Sequence, residues 1–99
     1  MIRGTTPTLT FTLPFSTSTI KSMMLTFSQS GREVFTLTQN DCVLEDTSCE
    51  VHLTQKQTLK FSTASMVEIQ IRVLTNDGNA LASNIITTSA SRILKDGEI

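Results

Sequence analysis

The side chains best suited to chemistry are few, and most fall between positions 41 and 54. His52 is the single histidine and stands two residues from Glu50. An imidazole works as a general base when a nucleophile and an orienting carboxylate converge on it. On a strand, residues two apart share a face, so Glu50, His52 and Thr54 are outward neighbours. Such a pair is also what an ordinary wet strand carries, and that is the preferred reading. Asp41, Glu45, Asp46 and Glu50 put four acids in ten residues with no Lys or Arg among them. A calcium loop needs alternating acids and a turn glycine, and that spacing is absent. The cluster therefore reads as a solvated hairpin rim ahead of the alternative, a cation site or acidic contact.

Cys42 and Cys49 are the only cysteines. A hairpin turned at Asp46-Thr47 sets Cys42 across from Val51 and Cys49 across from Leu44. The thiols are then diagonal neighbours, about 7–8 Å apart, which is long for a disulfide. Two small buried thiols are favoured over a bridge. One histidine and two cysteines on opposite faces do not converge on a metal. Phosphate-cradling glycine loops, nucleophile elbows and paired catalytic carboxylates are missing. No catalytic residue, cofactor or metal is assigned, and the expected class is non-enzymatic.

The elements that must position these residues alternate with period two. Leu9, Phe11 and Leu13 interleave with Thr8, Thr10 and Thr12 before Pro14 stops the run, and β-branched Thr suits the wet side of a pleat. Met23, Leu25 and Phe27 form a second apolar face, and Phe35 and Leu37 a third. Parity predicts a three-residue loop, Gln29-Ser30-Gly31, with Leu25 opposite Phe35 and Met23 opposite Leu37. Cys49, Val51 and Leu53 point inward. Thr54–Thr58 is polar and short, so it reads as a crossover with at most one helical turn. Val67, Ile69, Ile71 and Val73 alternate without error, and Asn76-Asp77-Gly78-Asn79 is the strongest hairpin signal. The returning strand is expected from Ala80 to about Ser89, with a last segment at Ser91–Leu94.

About seven short antiparallel strands and no helical period indicate one all-β domain over residues 1–99, an immunoglobulin-like β-sandwich. A small open β-barrel is the alternative. The antibody core Trp, tyrosine corner and distant Cys pair are missing. Ninety-nine residues support one small core, and 28 of them are Ser or Thr. A net charge of −1 removes the electrostatic footprint of a nucleic-acid binder. Without Trp or Tyr, carbohydrate-stacking surfaces are poorly supplied. No run is apolar enough for a secretory signal or a membrane span, so a cytoplasmic origin is expected.

One surface is anomalous. Closing the last hairpin at Thr75 and Ala80 puts Ile86 opposite Ile69 on the core face, while Leu74, Leu81 and Ile85 share the nominally wet face. Either a bulge near Ser83-Asn84 re-aims the strand or a nearby loop covers this face, or the face packs on another subunit or protein. Leu74, Leu81 and Ile85 are the candidate protein interface.

The segment Ile2–Phe15 (Ile-Arg-Gly-Thr-Thr-Pro-Thr-Leu-Thr-Phe-Thr-Leu-Pro-Phe) resembles small prophage proteins of Gram-positive gut bacteria. So do Leu53-Thr54-Gln55, Thr58–Phe61, the strand from Val67 to Thr75, Ala82-Ser83-Asn84 and Arg92–Gly97. Such proteins are encoded among tail genes. The resemblance spans almost the whole chain and specifies strands and turns without an active site. It implies a tail or baseplate-associated structural protein that meets other phage tail proteins, or copies of itself, in the host cytoplasm and then in the virion. The competing expectation is a host-surface carbohydrate-binding or adhesion module.

Overall fold

The alternation of apolar and Thr residues becomes eight strands in the computed structural model, which describes residues 1–99. They are β1 (Thr8–Thr12), β2 (Ile20–Gln29), β3 (Arg32–Thr38), β4 (Cys42–Glu45), β5 (Ser48–His52), β6 (Val67–Thr75), β7 (Ala80–Ala82) and β8 (Ile86–Thr88). One helical turn, α1 (Gln55–Thr58), supplies the expected crossover. Thr54 caps it: its hydroxyl accepts from Gln57 N–H, and the Gln57 side chain accepts from Thr54 N–H.

The strands form two antiparallel sheets, β1-β5-β4 and β3-β2-β6-β7, with β8 also pairing β6. They do not close into a barrel, and the fold is an all-β sandwich. The pairing follows the immunoglobulin order, with β1, β5 and β4 in the places of strands B, E and D. Strands β3, β2, β6 and β7 take those of C′, C, F and G. No strand pairs with the outer edge of β1 in the place of strand A, where Met1, Ile86 and Thr88 border a cleft beside Thr8–Phe11. Instead Ile2 makes a parallel bridge to Ser91, tying the N-terminal segment to the end of the large-sheet side.

Inward residues of both sheets meet in one core. Met23, Leu25, Phe27, Val67, Ile69, Ile71 and Val73 pack against Leu13, Cys49, Val51, Leu53 and Phe61. Polar anchors fix the loops around it. The buried Gln29 amide donates to the carbonyls of Ser62 (2.7 Å) and Ser65 (2.9 Å) and accepts from Ser62 N–H (2.8 Å). The Arg3 guanidinium donates to the carbonyls of Phe61 and Leu59 and pairs with Asp96 at 3.0 Å. Thr58, fully buried, donates to the Thr5 carbonyl at 2.8 Å.

Two turns differ from expectation for identifiable reasons. The β2–β3 hairpin closes with two residues, not three: Gln29 pairs with Arg32 across Ser30 and Gly31. Both turn residues are left-handed (φ 52° and 75°), which matches the twist of the flanking strands. The odd residue that parity demands is taken up inside β3, where Val34 bulges between the pairs Phe27–Phe35 and Ser28–Glu33. Leu25 therefore faces Leu37, not Phe35.

The last hairpin closes between Thr75 and Asn79, whose carbonyl accepts from Thr75 N–H at 2.9 Å. The Thr75 hydroxyl accepts from Asn79 N–H at 3.0 Å and donates to the Asp77 carboxylate. That bond holds the Asp77 carboxyl below its ordinary range. Closing one residue earlier than expected pairs Leu74 with Ala80 and Val73 with Leu81. The return strand then breaks. Ser83 N–H donates to Ile71 C=O, while the Ser83 hydroxyl, rather than a backbone carbonyl, accepts from Ile71 N–H at 3.0 Å. Beyond the break the register recovers, and Ile69 faces Ile86 as expected. The expected continuous strand is thus two short ones. Of Ser91–Leu94, only Ser91 joins a bridge.

Candidate functional site

The Asp46-Thr47 hairpin has the expected register, with Cys42 opposite Val51 and Leu44 opposite Cys49. Both thiols are free. Burial, reinforced by the neighbouring Cys49 thiol, pushes the Cys42 thiol up to about 12. Burial also raises Cys49, against a lowering hydrogen bond from Cys42. A thiol that far above neutral pH carries almost no thiolate and is a poor nucleophile. The pair acts as small apolar packing between β4 and β5.

His52 does face outward beside Glu50, with Nε2 and the Glu50 carboxylate 2.9 Å apart. Its other neighbour is Thr8 of β1, not Thr54: the Thr8 hydroxyl lies 2.7 Å from Nδ1. The β1–β5 register puts these two residues directly opposite one another. With a proton on Nε2, the imidazole donates to Glu50 and accepts from Thr8. This is the order hydroxyl, base, carboxylate used in nucleophilic catalysis. Here it lies on the open face of a sheet, with the His52 side chain 63% exposed. Neither His52 nor Glu50 lines any of the molecule's clefts. Sequence reasoning missed Thr8 because the link depends on which strand pairs with β5.

The acids of the hairpin rim are spread out. Asp41 accepts from Thr38 N–H at 2.9 Å and so caps the turn before β4. Asp46 takes the left-handed turn position, and its carbonyl accepts from both the N–H and the hydroxyl of Thr17. No three side chains of metal-ligand type gather at one point.

The candidate interface residues do not form one patch. Leu74 stays on the outer face of the large sheet, whereas the shifted turn carries Leu81 across from Val73 to the inner side. Ile85 lies at the break, beside Thr26, Ser28, Glu68 and Gln70 on the outer side. All three are substantially exposed, as is Ile86. Leu81 forms the rim of an apolar cleft of about 180 Å³, bounded opposite by Leu13, Pro14 and Phe15. Farther along, Ile86 bounds a second cleft with Leu9 and Phe11. The break between β7 and β8 therefore leaves the sandwich open between its sheets, with aliphatic side chains on the rim. The sequence signal was the surplus of aliphatics in this stretch, but the register that places them came from the turn. Comparison with protein-family models, curated proteins and solved structures gives no match. No helix is long and apolar enough to cross a membrane.

Proposed function

We propose that the chain is a non-enzymatic structural protein of a phage or prophage particle. It is associated with the tail or baseplate, assembled in the host cytoplasm and carried into the virion. Its work is protein–protein contact. The resemblance over almost the whole chain supports the phage setting. The observation that carries the contact role is the broken edge, where Leu81 rims one apolar cleft, Ile86 rims a second, and Ile85 stands exposed on the outer face. Exposed aliphatics beside apolar clefts are typical of a surface that a partner covers. Near-zero net charge suits a subunit that meets its neighbours without strong electrostatic steering.

The test is co-purification with tail and baseplate proteins encoded beside its gene, using Leu81→Asp and Ile85→Asp. Ile85 is 57% exposed, so Ile85→Asp keeps the wild-type unfolding free energy within about 0.5 kcal/mol, and Leu81→Asp, at the rim of the apolar cleft, costs about 1 kcal/mol. Capture of the tail protein falls about tenfold or more, because a charge is forced into a desolvated contact. Undiminished capture by both variants counts against the reading.

A further inference from the structure

We infer that β1 is a self-association edge, on which a second copy of this chain pairs antiparallel through Thr8–Thr12 and joins the two small sheets into one. This deepens the contact role proposed above and relies on it only for its purpose, the supply of repeated copies. Leu13 N–H donates to Thr47 C=O, and Leu53 N–H donates to Pro7 C=O. These bonds fix the alternation of the ladder: odd-numbered residues of β1 bond to β5, and Thr8, Thr10 and Thr12 turn their N–H and C=O groups away from it. Strand A would occupy this place in an immunoglobulin sandwich, but the N-terminal segment bridges to Ser91 instead.

The other edges carry devices that discourage pairing. Glu45 ends β4 and Asp41 and Asp46 flank it, β3 has its bulge at Val34, and the β7–β8 edge is interrupted. β1 has no charge, proline or bulge, and Pro7 and Pro14 lie just outside it. Its sequence, Thr-Leu-Thr-Phe-Thr, is a palindrome of outward Thr. A two-fold axis at Thr10 pairs Thr8 with Thr12 and Thr10 with itself, each pair exchanging two backbone bonds. No like charges meet, and Thr–Thr pairs form on the wet face. On the inner side the half-buried Leu9 and Phe11 come opposite each other. The ladder is short, so association is concentration-dependent.

Thr10→Cys and Thr12→Cys in the full chain test the register. Cys49 is fully buried, and Cys42 half-buried against it, so the introduced thiols are the accessible ones. Two copies of residue 10 meet at the axis, whereas two copies of residue 12 stand about 13 Å apart, beyond disulfide reach. Under mild oxidation Thr10→Cys forms covalent dimers about tenfold or more faster than Thr12→Cys. Thr10→Lys, which sets like charges opposite one another, moves the monomer–dimer transition seen by sedimentation to about tenfold higher concentration, with an unchanged circular dichroism spectrum. Equal cross-linking of the two Cys variants overturns the pairing. So does wild-type sedimentation of Thr10→Lys, or cross-linking of Thr10→Cys only to a different protein. Each of these leaves the Leu81 and Ile85 test standing, so the two readings fail separately.

Discussion

Phe27→Ala is expected to lower the unfolding free energy by about 3–5 kcal/mol, the range for removing a fully buried aromatic side chain. Phe27 has no exposed surface and sits in β2, the strand between β3 and β6. Its ring stacks on Phe35 with centroids 4.7 Å apart and lies 6.0 Å from Phe61. Phe35 and Phe61 touch each other at 5.5 Å, so removing Phe27 opens the middle of a three-ring cluster. A domain of this size has total stability of only about 5–15 kcal/mol, so the loss is a large share. Met24→Ala, on the outer face of the same strand and 43% exposed, is the internal control and costs under about 1 kcal/mol. Urea titration of both variants reads the difference. Equal midpoints would mean that the side of β2 facing the small sheet is not the core.

The second large effect belongs to a polar residue. Gln29→Leu removes one acceptor and a doubly used donor, leaving Ser62 N–H and the carbonyls of Ser62 and Ser65 without their partner. The expected loss is about 2–3 kcal/mol, limited because Ser62 is exposed and regains water. Gln29→Glu is more informative. It keeps the acceptor for Ser62 N–H but turns a carboxylate oxygen toward two carbonyls in a buried site. That environment disfavours the charged form and raises the folded-state pKa above its unfolded value near 4.3. The folded state then binds more protons than the unfolded state as pH rises through this window. Stability of Gln29→Glu falls between about pH 4 and neutrality relative to Gln29→Leu. Parallel pH profiles for the two variants would place the side chain outside the 62–65 loop.

Much of this fold was legible because period-two alternation survives tertiary packing. Leu25, Phe27, Val51, Ile69 and Ile71 were assigned inward from spacing alone, and all are buried. The Asp46-Thr47 register also followed, since a two-residue turn leaves no freedom. Errors arose where one extra residue had more than one place to go. Parity required an odd residue between Leu25 and Leu37, and the chain stored it as the Val34 bulge because Ser30-Gly31 adopts the tight left-handed turn. At Asn76–Gly78 the Thr75 hydroxyl reaches the Asn79 N–H and closes the turn one residue early. That single step moved Leu81 from one face of the sheet to the other. Of the candidate interface, the exposure of Leu74, Leu81 and Ile85 was legible from their surplus on a wet strand. Their separation was not, because it depends on side-chain bonds of Thr75 and Ser83 that no hydrophobic pattern encodes. The link between Thr8 and His52 likewise required knowing that β1 lies beside β5.

Contact at the broken β7–β8 edge is the central claim, and hydrogen exchange reads it most directly. Ala80 and Ala82 turn their N–H groups away from β6, because the neighbouring odd-numbered residues make the ladder bonds. In the isolated chain these amides exchange fast. Exchange across residues 80–88 is to be compared between the isolated chain and the assembled tail particle. The expected result is slowing by about tenfold or more in the particle across this stretch and the Leu13–Phe15 rim opposite, with the Thr8–Thr12 amides reporting the separate contact between copies. Equal exchange of residues 80–88 in both states would contradict the claim.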